Sequence, residues 1–214
     1  MNRKPTVFVV DDDEAVRQAL GLLIRSAGLD VETYDSAKQF LEAYEPARPG
    51  CLVLDVRMPG MSGPELQEKL AAQRITIPVI IISGHGDVPT AVRAVKRGAV
   101  DFIQKPFDDQ VLLGRIEQAI SLDAETRRDQ AEQADVAARL ARLTPREREV
   151  MDLLVAGMAS KQIAFKLGLS RKTVDIHRAH VMMKLGIDSL ADLVRMGLTH
   201  EIRREQPGPR PEQT

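Results

Sequence analysis

The sequence predicts two folds in series: an α/β doubly wound domain on a five-stranded parallel sheet, then an all-α domain of four helices. Three observations carry this. First, short apolar runs at residues 6–10, 51–54 and 79–82 lack polar alternation, as strands buried on both faces do, and shorter strand segments lie around Val31 and over Val100 to Gln104. Second, apolar residues at helical spacing separate those runs, so strand and helix alternate. Third, from Leu143 onward the chain is punctuated by Thr and Ser caps and by Gly breaks, which mark short helices. The charge changes along the same division. Residues 1–120 carry a net charge of -3, residues 121–143 carry -1, and residues 144–214 carry +3. A mildly acidic front and a basic back suit two domains with different partners.

Bulk properties remove several function classes. The single cysteine, Cys51, excludes an intramolecular disulfide and a Cys-rich zinc site. Cys51 falls in a core strand, so it reads as a buried, inert thiol. No apolar run approaches the ~18 residues of a membrane span. Met1-Asn2-Arg3-Lys4-Pro5 leads directly into a strand without an apolar signal segment, so a cytoplasmic protein with no membrane partner is expected.

Thr6-Val7-Phe8-Val9-Val10 is the first strand and ends on Asp11, Asp12 and Asp13. Val16, Ala19, Leu20, Leu23 and Ala27 recur at helical spacing until Gly28. Val31 marks a short strand before Ser36, and Ala37, Phe40, Leu41 and Tyr44 give the next helical stripe. Cys51-Leu52-Val53-Leu54-Asp55 is the central strand. Pro64 suits the first turn of a helix with Leu66 and Leu70 on its buried face. Val79-Ile80-Ile81-Ile82-Ser83 follows, then a helix from Val88 to Arg97 closed by Gly98. Val100 to Gln104 is the fifth strand, ahead of Lys105-Pro106, and Val111, Leu112, Ile116 and Ala119 lie on the next helix.

By itself Asp55, before Val56-Arg57-Met58-Pro59-Gly60, reads as the cap of a turn. The other strand ends alter that reading. Asp11, Asp12, Asp55, Ser83 and Lys105 close four of the five strands, and right-handed crossovers bring those ends to one edge of the sheet. Clustered carboxylates raise one another's pKa unless a cation neutralises them. An all-oxygen set suits Mg²⁺. With a lysine and a hydroxyl added, the edge is built to receive a phosphoryl group, and a carboxylate there can be the nucleophile.

These motifs resemble the receiver domain of bacterial response regulators over residues 6–120, and the segment Ser83-Gly84-His85-Gly86-Asp87-Val88-Pro89 is similar to the FixJ subfamily. The resemblance implies that Asp55 accepts phosphoryl from a sensor histidine kinase. It implies Mg²⁺ held by Asp12, Asp55 and the backbone carbonyl of Arg57, with Asp11 acting through water. It implies a switch pair of Ser83 and Phe102, and a cis Lys105-Pro106 peptide that aims the lysine. Ser83 stands where Thr is commoner, and Phe102 where Tyr is frequent. The result would be a phosphoacceptor, at most dephosphorylating itself, and not an enzyme.

Residues 121–143 are rich in Ala, Glu, Gln, Arg and Asp and contain no Gly or Pro. They predict a solvated helix that extends the preceding one and breaks near the second domain. Ala131, Ala134, Ala138 and Ala141 form a stripe too small for a strong coiled coil.

Leu143-Thr144-Pro145-Arg146-Glu147 is a helix start, with Thr at the N-cap and Glu at N3. Val150, Leu153 and Leu154 mark its inner face, and Gly157 its end. Ser160 is expected to cap a second helix and Ser170 a third, joined through Gly168 as in a helix-turn-helix. Ser189 caps a fourth. On the third helix Val174, His177, Val181 and Leu185 face the core, with His177 a packed, hydrogen-bonded histidine. Arg171, Lys172, Asp175, Arg178 and Lys184 are assigned to the opposite face. Periodicity alone equally allows a bundle that docks protein. The motifs Leu143-Thr144-Pro145-Arg146-Glu147, Lys161-Gln162-Ile163-Ala164, Thr173-Val174, His177 and Lys184-Leu185-Gly186 resemble the LuxR/NarL-type DNA-binding domain. That likeness implies contacts with promoter DNA from Lys161, Arg171, Lys172, Thr173, Asp175, Ile176, Arg178 and Lys184, and dimerisation on DNA through the last helix.

The domains expected are thus a receiver over residues 1–122, a helical linker over 123–138, a DNA-binding domain over 139–204 and a disordered tail over 205–214. The function expected is a two-component transcription regulator, dimeric when phosphorylated. A phosphohydrolase of the haloacid dehalogenase type would need a second Asp two residues after Asp55, where Arg57 stands. A regulator whose helical domain docks protein is the other alternative.

Overall fold

A computed structural model describes residues 4–84 and 88–196, with residues 88–90 described by backbone alone. The chain divides into two compact units, residues 1–128 and 129–214.

In the first unit, β1 (Thr6–Val10), β2 (Asp30–Tyr34), β3 (Gly50–Asp55), β4 (Val79–Ser83) and β5 (Asp101–Gln104) form one sheet in the order β2-β1-β3-β4-β5. Every pairing is parallel. The helices between them are α1 (Glu14–Ser26), α2 (Ala37–Ala43), α3 (Gly63–Ala72) and α4 (Val88–Lys96), with α5 (Asp109–Ala141) following β5. The apolar strand runs exist because both faces are covered. Phe8, Val10, Leu52, Leu54 and Ile81 pack with Phe40 and Leu66 on one side. Val7, Val9, Val53, Ile80 and Ile82 pack with Leu20, Ile24, Leu112 and Ile116 on the other. Cys51 is buried there, and burial pushes its thiol up to about 12, which keeps it protonated and inert.

Two glycines are dictated by close approach. At Gly50, where φ is +145°, a Cβ would overlap the carbonyl of Thr6 on the neighbouring strand. At Gly63 a Cβ would overlap the carbonyl of Asp55, so only glycine lets α3 start directly behind that residue.

Helix α5 spans 33 residues without interruption and ends just before the next helix, so the break expected in the linker lies at residues 142–144. The linker is not solvated throughout. Asp123 is buried, and its Oδ2 accepts from the Gly50 amide at 2.9 Å and from Arg127 Nε at 2.7 Å. Arg127 also donates to the carbonyls of Pro46 at 3.0 Å and Arg48 at 2.7 Å. These bonds tie the helix to the loop before β3, which accounts for a compact unit reaching Arg128. The alanine stripe is exposed at Ala131, Ala134, Ala138 and Ala141, whereas Val136 and Leu140 pack into the second core.

The second unit is built on α6 (Pro145–Val155), α7 (Ser160–Leu167), α8 (Arg171–Leu185) and a helix α9 described over residues 190–196. Its core gathers Leu140, Val150, Leu154, Ile163, Val174, Val181, Leu185 and Leu193. Thr144 and Glu147 form the expected capping box, and the Ser170 hydroxyl accepts from Thr173 N at 3.0 Å. Ser160 does not cap α7. Ala159 holds the cap position, and its amide donates to Gln162 Oε1 at 3.0 Å, so the side chain at N3 satisfies that end. The proposed tail, residues 205–214, and the end of the domain after residue 196 lie outside the described residues.

Asp123→Ala is expected to destabilise the first unit by about 2 kcal/mol, because it leaves the Arg127 Nε and the Gly50 amide without their acceptor. Urea unfolding of the full chain checks this, with Asp123→Asn expected to cost less because its carbonyl oxygen still accepts.

Candidate functional site

Strand register assembles the site. Val10 pairs with Leu54, so the next residues, Asp11 and Asp55, leave neighbouring strands side by side. Ser83 pairs with Gln104, which places Lys105 one residue beyond β5 at the same edge. Lys105 Nζ donates to Asp11 Oδ2 at 2.7 Å and to Asp55 Oδ1 at 2.8 Å. One ammonium therefore joins two buried carboxylates from adjacent strands. The Lys105–Pro106 peptide is cis, and the Lys105 amide donates to the Ser83 carbonyl at 2.8 Å.

The neighbouring backbone holds both acids. Asp55 Oδ2 accepts from the Arg57 amide at 2.6 Å, and Asp11 Oδ1 from the Asp13 amide at 2.9 Å. Arg17 donates to the Asp11 carbonyl at 2.8 Å. Asp13 is occupied as the N-cap of α1, accepting from Ala15 N at 2.8 Å. Burial raises the Asp11 carboxyl above its ordinary value, against the opposing pull of its bond to Lys105. Burial also works against the charged form of Lys105, but the bonds to Asp11 and Asp55 outweigh it and its pKa is raised. The Lys105 ammonium is thus held in its charged form.

Of the expected site residues, Asp11, Asp55, Ser83 and Lys105 converge, and Ser83 is buried at its strand end. Phe102 is half-buried against the core on one face of the sheet. Asp12 and Arg57 are exposed. Among the described residues no three acidic, His or Cys side chains are gathered closely enough to hold a metal. The chemistry of the pair still fits a hard dication: two carboxylates meet at one cationic point, and both present oxygen donors. His85, Gly86 and Asp87 lie outside the described residues.

In the second unit Lys161, Arg171, Lys172, Asp175, Ile176 and Arg178 are exposed. Arg171 Nε lies 3.9 Å from Asp175 Oδ2 in a solvent-exposed pair. Thr173 is half-buried, its hydroxyl 2.8 Å from that of Ser170. Lys184 departs from the expected face. At 100° per residue Arg171 and Arg178, though exposed, also lie only about 60° and 40° around the helix from core-facing Val174, as against about 80° for half-buried Lys184. The Lys184 Nζ donates to the buried Glu147 at 2.6 Å. Lys184 is therefore a structural partner of the capping box. His177 packs on the inner side as expected, but its Nδ1 is buried without a hydrogen-bond partner among the described residues.

Sequence reasoning missed the Glu147–Lys184 pair. Its only signal is a capping-box glutamate, usually exposed, in a segment that packs against a later helix. Lys184 and then the Thr144 amide pull the Glu147 carboxyl down to about 2. Because the folded value lies below the ordinary 4.5, this stabilisation is complete above about 4.5 and is lost as pH falls toward about 2. Acid unfolding of the full chain, followed between those limits, should show a component that Glu147→Gln removes.

Comparison with known proteins places both units. Residues 7–117 match the family described as response regulator receiver domain, and residues 141–197 match that of bacterial regulatory proteins, luxR family. The chain is 46% identical to the transcriptional regulatory protein FixJ of Bradyrhizobium diazoefficiens, over 92% of this chain and 97% of that one. It is 43% identical to the response regulator protein TodT of Pseudomonas putida, over 91% and 86%. The solved structure of the response regulator StyR matches with a TM-score of 0.87 and 50% identity, covering 92% of this chain and all of that one.

Proposed function

We propose that Asp55 is the phosphoacceptor of this chain, which belongs to the response regulators that join a receiver domain to a LuxR-family DNA-binding domain. Membership makes the chain a transcription regulator of a two-component system, activated by phosphorylation, that works with a sensor kinase and with DNA. No described helix is long and apolar enough to cross a membrane. The observation that carries the proposal is the Lys105 ammonium shared by Asp11 and Asp55 at the ends of two buried strands.

In this reading a carboxylate oxygen of Asp55 attacks the phosphorus of a kinase phosphohistidine. A P–O bond forms, the P–N bond breaks, and the imidazole leaves. The Arg57 amide and the tight start of α3 at Gly63 hold Asp55 for that attack. Lys105 offsets charge on the phosphoryl oxygens, and Ser83 donates to one of them, with Phe102 repacking on the same face. Asp12, Asp55 and the Arg57 carbonyl would hold Mg²⁺, with Asp11 reached through water. When bound, the ion stabilises the negative charge of the transferring group. Hydrolysis of the acyl phosphate returns the resting protein. Phosphorylation favours a homodimer that binds promoter DNA in the cytoplasm, through a receiver over residues 1–122, a linker over 123–138 and a DNA-binding domain over 139–204.

A small phosphodonor with Mg²⁺ should label one residue and shift the chain from monomer toward dimer. Mass spectrometry after hydride trapping should place the label on Asp55. A label that persists in folded Asp55→Asn sinks the assignment.

For the DNA-binding unit, exposed Arg171, Lys172 and Arg178 are the proposed cationic contacts, with Lys161 on α7 facing the backbone and Thr173 near it. Asp175 is placed to accept from a cytosine amino group. A phosphate contact, once removed, should weaken all sequences alike and reduce the salt slope by about one. A base contact should instead cost roughly 1–3 kcal/mol on the specific site alone. Titrating Lys172→Ala and Arg178→Ala at several salt concentrations separates the cases. No change in either variant would favour the protein-docking alternative.

A further inference from the structure

A cavity of about 250 Å³ in the first unit opens between α3, the start of β4, the residues after α4, and α5. Leu70, Ile77 and Val79 are its buried apolar lining, and Leu122 of α5 lines it while remaining 44% exposed. Gln67 of α3 also lines it and is only 4% exposed. Its Nε2 donates to the carbonyls of Arg97 at 3.0 Å and Ala94 at 3.4 Å, at the end of α4. Its Oε1 is buried and has no hydrogen-bond partner among the described residues. Exchanging the two amide atoms would set the oxygen against carbonyls that only accept, so the orphan is the oxygen.

A buried acceptor without a partner forfeits its hydration and calls for an explanation. The size of the cavity selects the kind of occupant. One water fills only ~30 Å³, whereas an apolar cavity of ~150 Å³ takes a molecule the size of benzene. This one has room for two small fused rings. Charge is selected against. Arg97 is the only charged residue in the lining, and its guanidinium is engaged by Glu68 at 2.8 Å. A charged ligand would lose hydration there and meet no free counter-charge among the lining residues. An orphan oxygen can only accept, so the complementary molecule donates.

We propose that this cavity binds a small, uncharged, mostly apolar molecule whose single N–H or O–H group donates to Gln67 Oε1. The cavity meets β4 at Val79, and Ser83 stands at the other end of that strand. None of the phosphoacceptor residues lines it, so the proposal is independent of the function proposed above. The apolar lining supplies affinity through burial, to which covering the exposed Leu122 adds. Gln67 supplies the selection. A ligand of the same shape with an acceptor in place of its donor sets oxygen against oxygen and leaves both without a partner.

The experiment titrates the full-length, ¹⁵N-labelled protein with indole and, separately, with benzofuran. The two probes share one shape, but benzofuran carries an oxygen acceptor where indole carries N–H. Indole should shift the Gln67 side-chain amide and the Gly98 backbone amide saturably. Benzofuran should bind about tenfold more weakly, the effect of one hydrogen bond to a buried acceptor. Ala71→Trp fills the cavity from the exposed side of α3 and leaves Gln67 in place, and Leu122→Trp does the same from α5. Each should abolish the indole shifts, with thermal melting verifying that the variant folds. Absence of a saturable indole shift in the wild type overturns the proposal. So does equal binding of the two probes, or indole binding retained in either folded variant.

Discussion

The first unit depends on a single ammonium between two carboxylates. Asp11 and Asp55 end adjacent strands whose register leaves them no choice but to emerge together. Two like charges at one buried edge would repel each other and raise one another's pKa. Lys105 removes that conflict, reaching from the far side of β4 with bonds to both acids. The arrangement is self-consistent but not rigidly committed, since a stronger cation can compete for the carboxylate oxygens and an anionic group for the ammonium. A site that is stable at rest and open to substitution is what the proposed phosphoacceptor requires.

The second unit meets the same problem with the opposite outcome. Glu147 is a buried carboxylate also paired with a lysine, Lys184. Here the acid is further satisfied by the Thr144 amide, and its carboxyl is held down to about 2. Nothing in that setting invites a ligand. The pair links the start of α6 to the last turn of α8, so it fixes α8 on its scaffold. Two carboxylates near one lysine make the proposed reactive site, and one carboxylate with several donors makes a structural joint.

Between these lies the long helix α5, whose composition disguises its role. Its exposed alanines carry no packing, and the contacts that matter come from Asp123 and Arg127 at one end and Val136 and Leu140 at the other. A polar linker can therefore be tied to folded structure at both ends by a few residues whose type alone gives no hint of burial.

Much of the first unit was legible in the sequence because a parallel sheet covered on both faces needs unbroken apolar strands, and their polar ends stand out against that background. The strand ends Asp11, Asp55, Ser83 and Lys105 therefore stand out in the sequence as one edge of the sheet. In the second unit, caps at Thr144 and Ser170 and the stripe Val174, Val181, Leu185 were equally plain, since caps and helical period are local properties. Tertiary structure alone decided the rest. Lys184 was turned from an expected DNA contact into the partner of Glu147. Asp123 was withdrawn from solvent by a bond to Gly50, a residue 73 positions away. Each of these depends on which distant group a polar side chain meets, and local sequence carries no information about that meeting. Periodicity determines which way a residue faces; only the packed fold determines what it faces.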